Sequence, residues 1–523
     1  MEGSPLVPCG YIRESRAYLE GIRVDHQAER NLEKIEHIVV LMLENRSFDH
    51  MLGYLSLPGE NGGAGREDVD GLTGPAVNHN QFEGETFPIE PFGDNRILSK
   101  AQDPCHSGPC VAEQMEDGMG GFVANYATTR EPGAIGPQPG DPMLYQTADN
   151  VPVFDFLARE FAICDRWFCS VPGSTWPNRI ASLAGEAREK SNRAVPLYSY
   201  RSFVRSLPAK VSWRWYSSDP GSLRLVDDKY RIGWEDHFAH VEKPTAIQPR
   251  TLYGDIRSGE LPQVAWIDPN FVDLGGLTGA DDDHPPTDVM AAQSFVLKIY
   301  NMLRSKQSLW RKTMLVIVYD EHGGFYDHRD PGQGLPPKFS ERAEFGTFGP
   351  RVPAIVVSPF VGPGTVYGSP QGEDPDFLYD HTSLIKTILL RFAGGEFSGL
   401  PPRVASAAHL GHLLTEKDPR EAPVVPEESV NRVTNWWAGQ IGRRLTDPMA
   451  NVPAMLELEA GEDEGLEGAA EFLWEAIGWI VDRVPFLHRK PTIAIPPDAN
   501  ELELGIARAA AKIRKKGLPP GQP

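Results

Sequence analysis

The sequence predicts an α/β protein built on a mainly parallel central sheet with helices on both faces. Three observations carry that prediction. Short β-branched apolar runs have strand length, helical periodicity separates several of them, and two polar clusters begin where an apolar run stops.

The first run, IEHIVVLML at residues 35–43, ends abruptly at Glu44-Asn45-Arg46 and reads as a buried parallel strand. Residues 56–150 are rich in Gly, Pro, Asn and Asp. They are too long for an ordinary connection and read as an insertion carrying site residues. Further strand-like runs follow at 161–163, 264–267, 314–319 and 354–357, with helical patterns at 291–303 and 382–391. Beyond about residue 415 acidic and Pro-rich linkers surround helical segments at 427–444, 463–484 and 500–516. The chain therefore divides into an N-terminal segment (1–30), a catalytic domain (31–415) and a mostly helical extension (416–523). Within the extension, residues 469–487 form an apolar face with Trp474 and Trp479. Their polar positions are mostly acidic, which favours docking on the catalytic domain over lying on a membrane surface.

Of the 523 residues, 40% are hydrophobic and 24% charged, the composition of a globular chain with a sizeable core. The formal charge of −21 repels a phosphate backbone and argues against nucleic acid as a partner. The first residues lack a basic stretch followed by an apolar run, and no stretch is apolar for long enough to span a bilayer. A cytoplasmic or peripheral protein is expected. Five cysteines do not suggest a disulfide framework. Cys105 with Cys110 and Cys164 with Cys169 share a spacing outside or at the edge of the usual zinc patterns, and read better as small buried or loop cysteines.

Hydrolysis of a phosphate ester needs an activated oxygen nucleophile, neutralised non-bridging oxygens and a stabilised leaving oxygen. Glu44 and Asn45 stand at one strand end, Asp320 and Glu321 at another, and in open α/β sheets sites lie beyond the carboxyl ends of strands. Together they offer hard oxygen ligands for a divalent cation, whereas each alone could be a helix cap or ion-pair partner. In GSTWPNR, residues 173–179, Pro177 suits a first helical position and sets Thr175 beside a helix start that favours phosphate. His106, His284, His322 and His381 each sit beside carboxylates or turn residues, and four such clusters point to a shared site.

The segments ENRSFDHMLGY (44–54), DPCHS (103–107), STWPNR (174–179), DDDHPPTDV (281–289), DEHGGFYDH (320–328), GPRVPAIVVSP (349–359) and YDHTS (379–383) closely resemble the bacterial phospholipase C, plant non-specific phospholipase C and acid phosphatase family. They occur in that family's order across roughly residues 35–395. The resemblance implies an alkaline-phosphatase-like α/β/α sandwich. It implies that Glu44, Asn45, Asp320 and Glu321 bind one or more divalent ions (Ca²⁺, Mg²⁺, Mn²⁺ or Zn²⁺) together with Thr175. It further implies that His106 and His284 act at the phosphoryl group, held with Asp103, Arg179, His322 and His381. Cys105 stands where glycine is expected, and Arg329-Asp330 replace a short apolar continuation.

The expected reaction is metal-assisted phosphoryl transfer through Thr175, with His106 or His284 protonating the leaving alcohol. The substrate would be a phospholipid or a small phosphate ester, with transient membrane-surface contact. A broad phosphomonoesterase of the acid-phosphatase type is the alternative within enzymes, and a silent phospholipid-binding protein the alternative outside them.

Overall fold

The computed structural model describes residues 26–446 apart from 60–62, 94–102, 131–137, 194–195, 219–220, 243, 245–248, 272–279, 286, 332–346 and 368–377. The two-tryptophan segment 469–487 and the expected helices at 463–484 and 500–516 lie outside the described residues, as does nearly all of segment 1–30.

Eight strands form the central sheet: β1 (His37–Leu43), β2 (Ala162–Ile163), β3 (Trp213–Tyr216), β4 (Phe238–Ala239), β5 (Val264–Ile267), β6 (Thr313–Tyr319), β7 (Ala354–Val357) and β8 (Thr365–Val366). Their spatial order is β8-β2-β7-β6-β1-β5-β3-β4. Pairing is parallel except at β7, which runs antiparallel to both β6 and β2. The mainly parallel sheet is thus as expected. The reversal of β7 was not foreseeable, because an apolar run reads alike in either direction.

All seven residues of β6 and six of seven in β1 are buried. Successive side chains point to opposite faces, so both faces must be covered. One group of helices comprises α1 (Pro152–Glu160), α3 (Leu252–Ser258), α4 (Val289–Ser305) and α6 (Glu427–Thr446). The other pairs α2 (Thr175–Ala184) with α5 (Thr382–Ala393). Local signals set their ends: Asp288 caps α4 by accepting from the Met290 N–H, and Gly185 and Gly394 close α2 and α5 in the left-handed region.

The first helix of the extension, α6, packs on α1 and α4, with Trp436 Nε1 donating to Asp288 Oδ2 at 2.6 Å. No helix among the described residues is long and apolar enough to cross a membrane.

Candidate active site

The central pair β1 and β6 are aligned so that Leu43 faces Tyr319. Glu44 and Asp320 therefore leave the sheet side by side. The crossing is stitched by the Asp320 N–H donating to Leu43 O at 3.1 Å and the Arg46 N–H to Glu321 O at 3.1 Å. Asn45 takes a positive φ of 58°, a conformation asparagine tolerates, and its N–H donates to Asp320 Oδ1 at 3.2 Å. Gly323, with φ 64°, has no room for a side chain: a Cβ would lie 2.0 Å from Asn45 O. The Gly323-Gly324 turn is what lets the two strand ends meet.

Thr175 opens α2 with Ser174 as its cap, so Pro177 is the third helical residue, not the first. That costs no backbone bond, since the first four N–H groups of a helix have no partner within it. The Thr175 hydroxyl donates to Asn45 Oδ1 at 3.4 Å, which joins the helix start to the acidic strand ends.

Arg179, one turn further along α2, departs from the expectation that it holds phosphate. It is buried, with Nη2 3.0 Å from Glu44 Oε2 and Nε 3.0 Å from Asp320 Oδ2, and it stacks on Phe271. Its Nη1 lies 3.7 Å from Asp268 Oδ1. Nε and Nη2 are thus committed to carboxylates and backbone carbonyls, while the buried Nη1 makes no hydrogen bond. Asp268 was missed by sequence reasoning, although the signal was present: it follows β5 as Glu44 follows β1 and Asp320 follows β6. It is fixed by Trp215 Nε1 at 2.7 Å and by the Ser222 N–H and hydroxyl.

Of the four histidines, two meet at the opening. His106 Nε2 lies 3.2 Å from Asn45 Nδ2, its ring is edge-on to His284 at 5.8 Å, and His284 Nε2 is 3.8 Å from Asp103 Oδ2. His322 is buried beside the cluster, with Nε2 donating to Gln114 Oε1 at 2.8 Å and Nδ1 3.4 Å from Glu321 Oε2. His381 sits behind it. Its Nδ1 accepts from Trp167 Nε1 and its Nε2 donates to Asp320 O, so neither ring nitrogen remains for a phosphoryl group. His381 is a buttress of Asp320, and its burial lowers its pKa to about 4.

Sequence reasoning also missed that Cys105 and Cys110 form a disulfide, which corrects their reading as unpaired loop cysteines and excludes zinc there. The bond closes the loop carrying His106, and Gln114 ties that loop down by donating to Cys105 O. Cys164 and Cys169 are free and buried.

The electrostatics fit a hard cation. Burial, reinforced by Glu44 and Glu321 against Arg179, pushes Asp320 up to about 8, and burial raises Glu44 as well. Burial alone would raise Glu321, but the charge of His106 and the hydrogen bond from the Gly323 N–H hold it below the usual range. Burial works against protonation of His106, yet Glu321 and Asp103 bring it up to about 9. The buried Glu321 Oε1 accepts no hydrogen bond, an unmet lone pair of the kind a metal ion satisfies. A second cluster, Asp49, Asp327 and His328, also has closely spaced ligand atoms. There, however, Arg351 binds Asp49 Oδ1 at 3.0 Å and Asp327 Oδ1 at 2.9 Å, so the chain meets that charge itself.

A mixed sheet whose adjacent strand ends carry carboxylates thus faces a hydroxyl at a helix start, and the family to which the chain belongs makes it a phosphoester hydrolase. The chain belongs to the Phosphoesterase family, whose model matches residues 35–393. It is 31% identical over 423 residues to non-specific phospholipase C4 of Arabidopsis thaliana, covering 74% of this chain and 73% of that one. Non-specific phospholipase C6 of the same plant is 33% identical over 376 residues, covering 68% and 67%. Phospholipase C B of Mycobacterium tuberculosis is 29% identical over 413 residues, covering 69% and 74%.

Proposed function

We propose that the chain is a phospholipase C-type phosphodiesterase in which Thr175 is transiently phosphorylated. The observation that carries the reading is the hydrogen bond from Thr175 to Asn45 beside the Glu44, Asp320 and Glu321 carboxylates, with His106 and His284 at the opening. Glu44, Asn45, Asp320 and Glu321 would hold a divalent ion, which when bound acidifies a nearby hydroxyl and offsets phosphoryl charge.

Thr175 Oγ1 attacks phosphorus and its proton leaves to water. The bond from phosphorus to the leaving oxygen breaks, and His106 or His284 donates the proton that turns that oxygen into an alcohol. The same histidine then takes a proton from water, whose oxygen attacks phosphorus as the bond to Thr175 Oγ1 breaks, and Oγ1 regains from solvent the proton it gave up. The phospholipase C relatives favour a phospholipid substrate over a small monoester.

A panel of phosphatidylcholine, sphingomyelin and p-nitrophenyl phosphate, with and without added divalent cation, tests the reading. Diester cleavage that stops on chelation and returns with metal is expected. Cleavage of p-nitrophenyl phosphate alone would assign a phosphomonoesterase, and full activity in a protein shown to be metal-free would end the metal assignment.

A further inference from the structure

We infer that the surface carrying Leu197, Lys229, Arg231, Ile232 and Trp234 forms a shoulder beside the active site that docks on an anionic phospholipid surface. The inference rests on the phospholipid reading above and adds where the membrane meets the protein.

Charge is the first argument. The chain as a whole has 51 basic and 72 acidic residues, yet residues 188–234 contain ten basic and four acidic ones before Glu235 and Asp236 follow. Four are paired with carboxylates: Arg188 with Glu186, Arg193 with Glu189, Arg205 with Asp227 and Asp228, and Arg214 with Asp255. Arg231 is held instead by the backbone carbonyl of Tyr198, and Lys229 lies over the rings of Tyr230 and Trp234, whereas Arg224 is mostly buried and faces Glu235. Carbonyls and rings orient a cation without cancelling its charge.

Exposed apolar groups concentrate on the same segment. Five large hydrophobic side chains are exposed among the described residues, and three of them are Leu197, Ile232 and Trp234. They share one surface: Arg193 Nη1 donates to Leu197 O at 3.3 Å, Arg231 reaches Tyr198 O, and Trp234 is edge-on to Tyr230 at 5.1 Å. Tryptophan and aliphatic side chains among cations suit the headgroup level of a bilayer.

The shoulder is continuous with the catalytic rim. The Ser174 N–H donates to Lys190 O at 2.9 Å, the Trp176 N–H to Asn192 Oδ1 at 2.9 Å, and Trp176 packs on Tyr198 at 6.2 Å. The Gly108 N–H, in the loop that carries His106, donates to Ser191 Oγ at 3.1 Å. A membrane engaged by the shoulder thus lies beside Thr175, where a diester headgroup must arrive.

Co-sedimentation of the full chain tests this, using phosphatidylcholine vesicles with and without phosphatidylglycerol at low and high salt. Wild type should bind the anionic vesicles, and salt should weaken it. The combined variant Lys229→Glu, Ile232→Ser, Trp234→Ala should bind about tenfold more weakly and lose vesicle hydrolysis in parallel, while cleaving soluble p-nitrophenyl phosphorylcholine like wild type. Equal binding by the variant, binding indifferent to anionic lipid, or an effect confined to self-association would overturn the proposal. A wild type that binds through the shoulder but cleaves no diester would leave the shoulder standing and remove the phospholipase reading.

Discussion

The Arg179 guanidinium lies 3.0 Å from the Asp320 carboxylate at the floor of the site, and a second nitrogen of the same fork reaches Glu44 at 3.0 Å. Removing it leaves buried like charges facing one another, so Arg179→Met should cost about 3–5 kcal/mol of stability by denaturant titration. Added divalent cation should restore part of that loss. If stability is unchanged and only KM rises, Arg179 holds substrate phosphate instead.

The Cys105–Cys110 disulfide brackets His106. Replacing both by serine removes a small closed loop, worth about 2 kcal/mol by chain entropy, and frees the segment that aims the histidine. The kcat on a soluble diester should fall more than KM changes, with the same effect from mild reductant on wild type. A fully active double variant would make the bond a stabiliser only.

Stability should depend on pH through His328. Burial opposes its protonation, but Asp49 and Asp70 raise it to about 10. Its contribution is complete below the ordinary histidine value of about 6.5 and is lost as pH rises through about 10. Asp49 is held below the usual range despite burial, by His328 and Arg351, so its contribution is present above about pH 3.9 and is lost as pH falls through its folded value. His328→Gln should flatten the alkaline decline in unfolding free energy. An unchanged slope would show that the pair is not coupled to folding.

Much of this was readable in the sequence because strand ends announce themselves. An apolar run that stops at Glu44 or Asp320 marks both the strand and the place where chemistry can sit, and Thr175 does open a helix, although Pro177 falls two positions deeper than expected. The resemblance cast Arg179 and His381 as phosphate ligands, but it gives residue type and not direction: both side chains turn toward Asp320 from behind. Asp268 went unnoticed because a single Asp after four apolar residues is common, and only the sheet order, with β5 beside β1, makes it part of the cluster. The disulfide was hidden by its short spacing in a chain with an odd number of cysteines.

The central claim is that Thr175 carries the phosphoryl group, and rapid-quench intact-mass measurement during turnover of a soluble diester tests it most directly. Wild type should gain the mass of the phosphorylated headgroup on the peptide containing Thr175, Thr175→Ser should show the same species with reduced turnover, and Thr175→Ala should bind substrate without the adduct or the reaction. Near wild-type turnover by Thr175→Ala, with no adduct on the wild-type chain, would contradict the account and leave Thr175 as a helix-start residue beside a site that uses water directly.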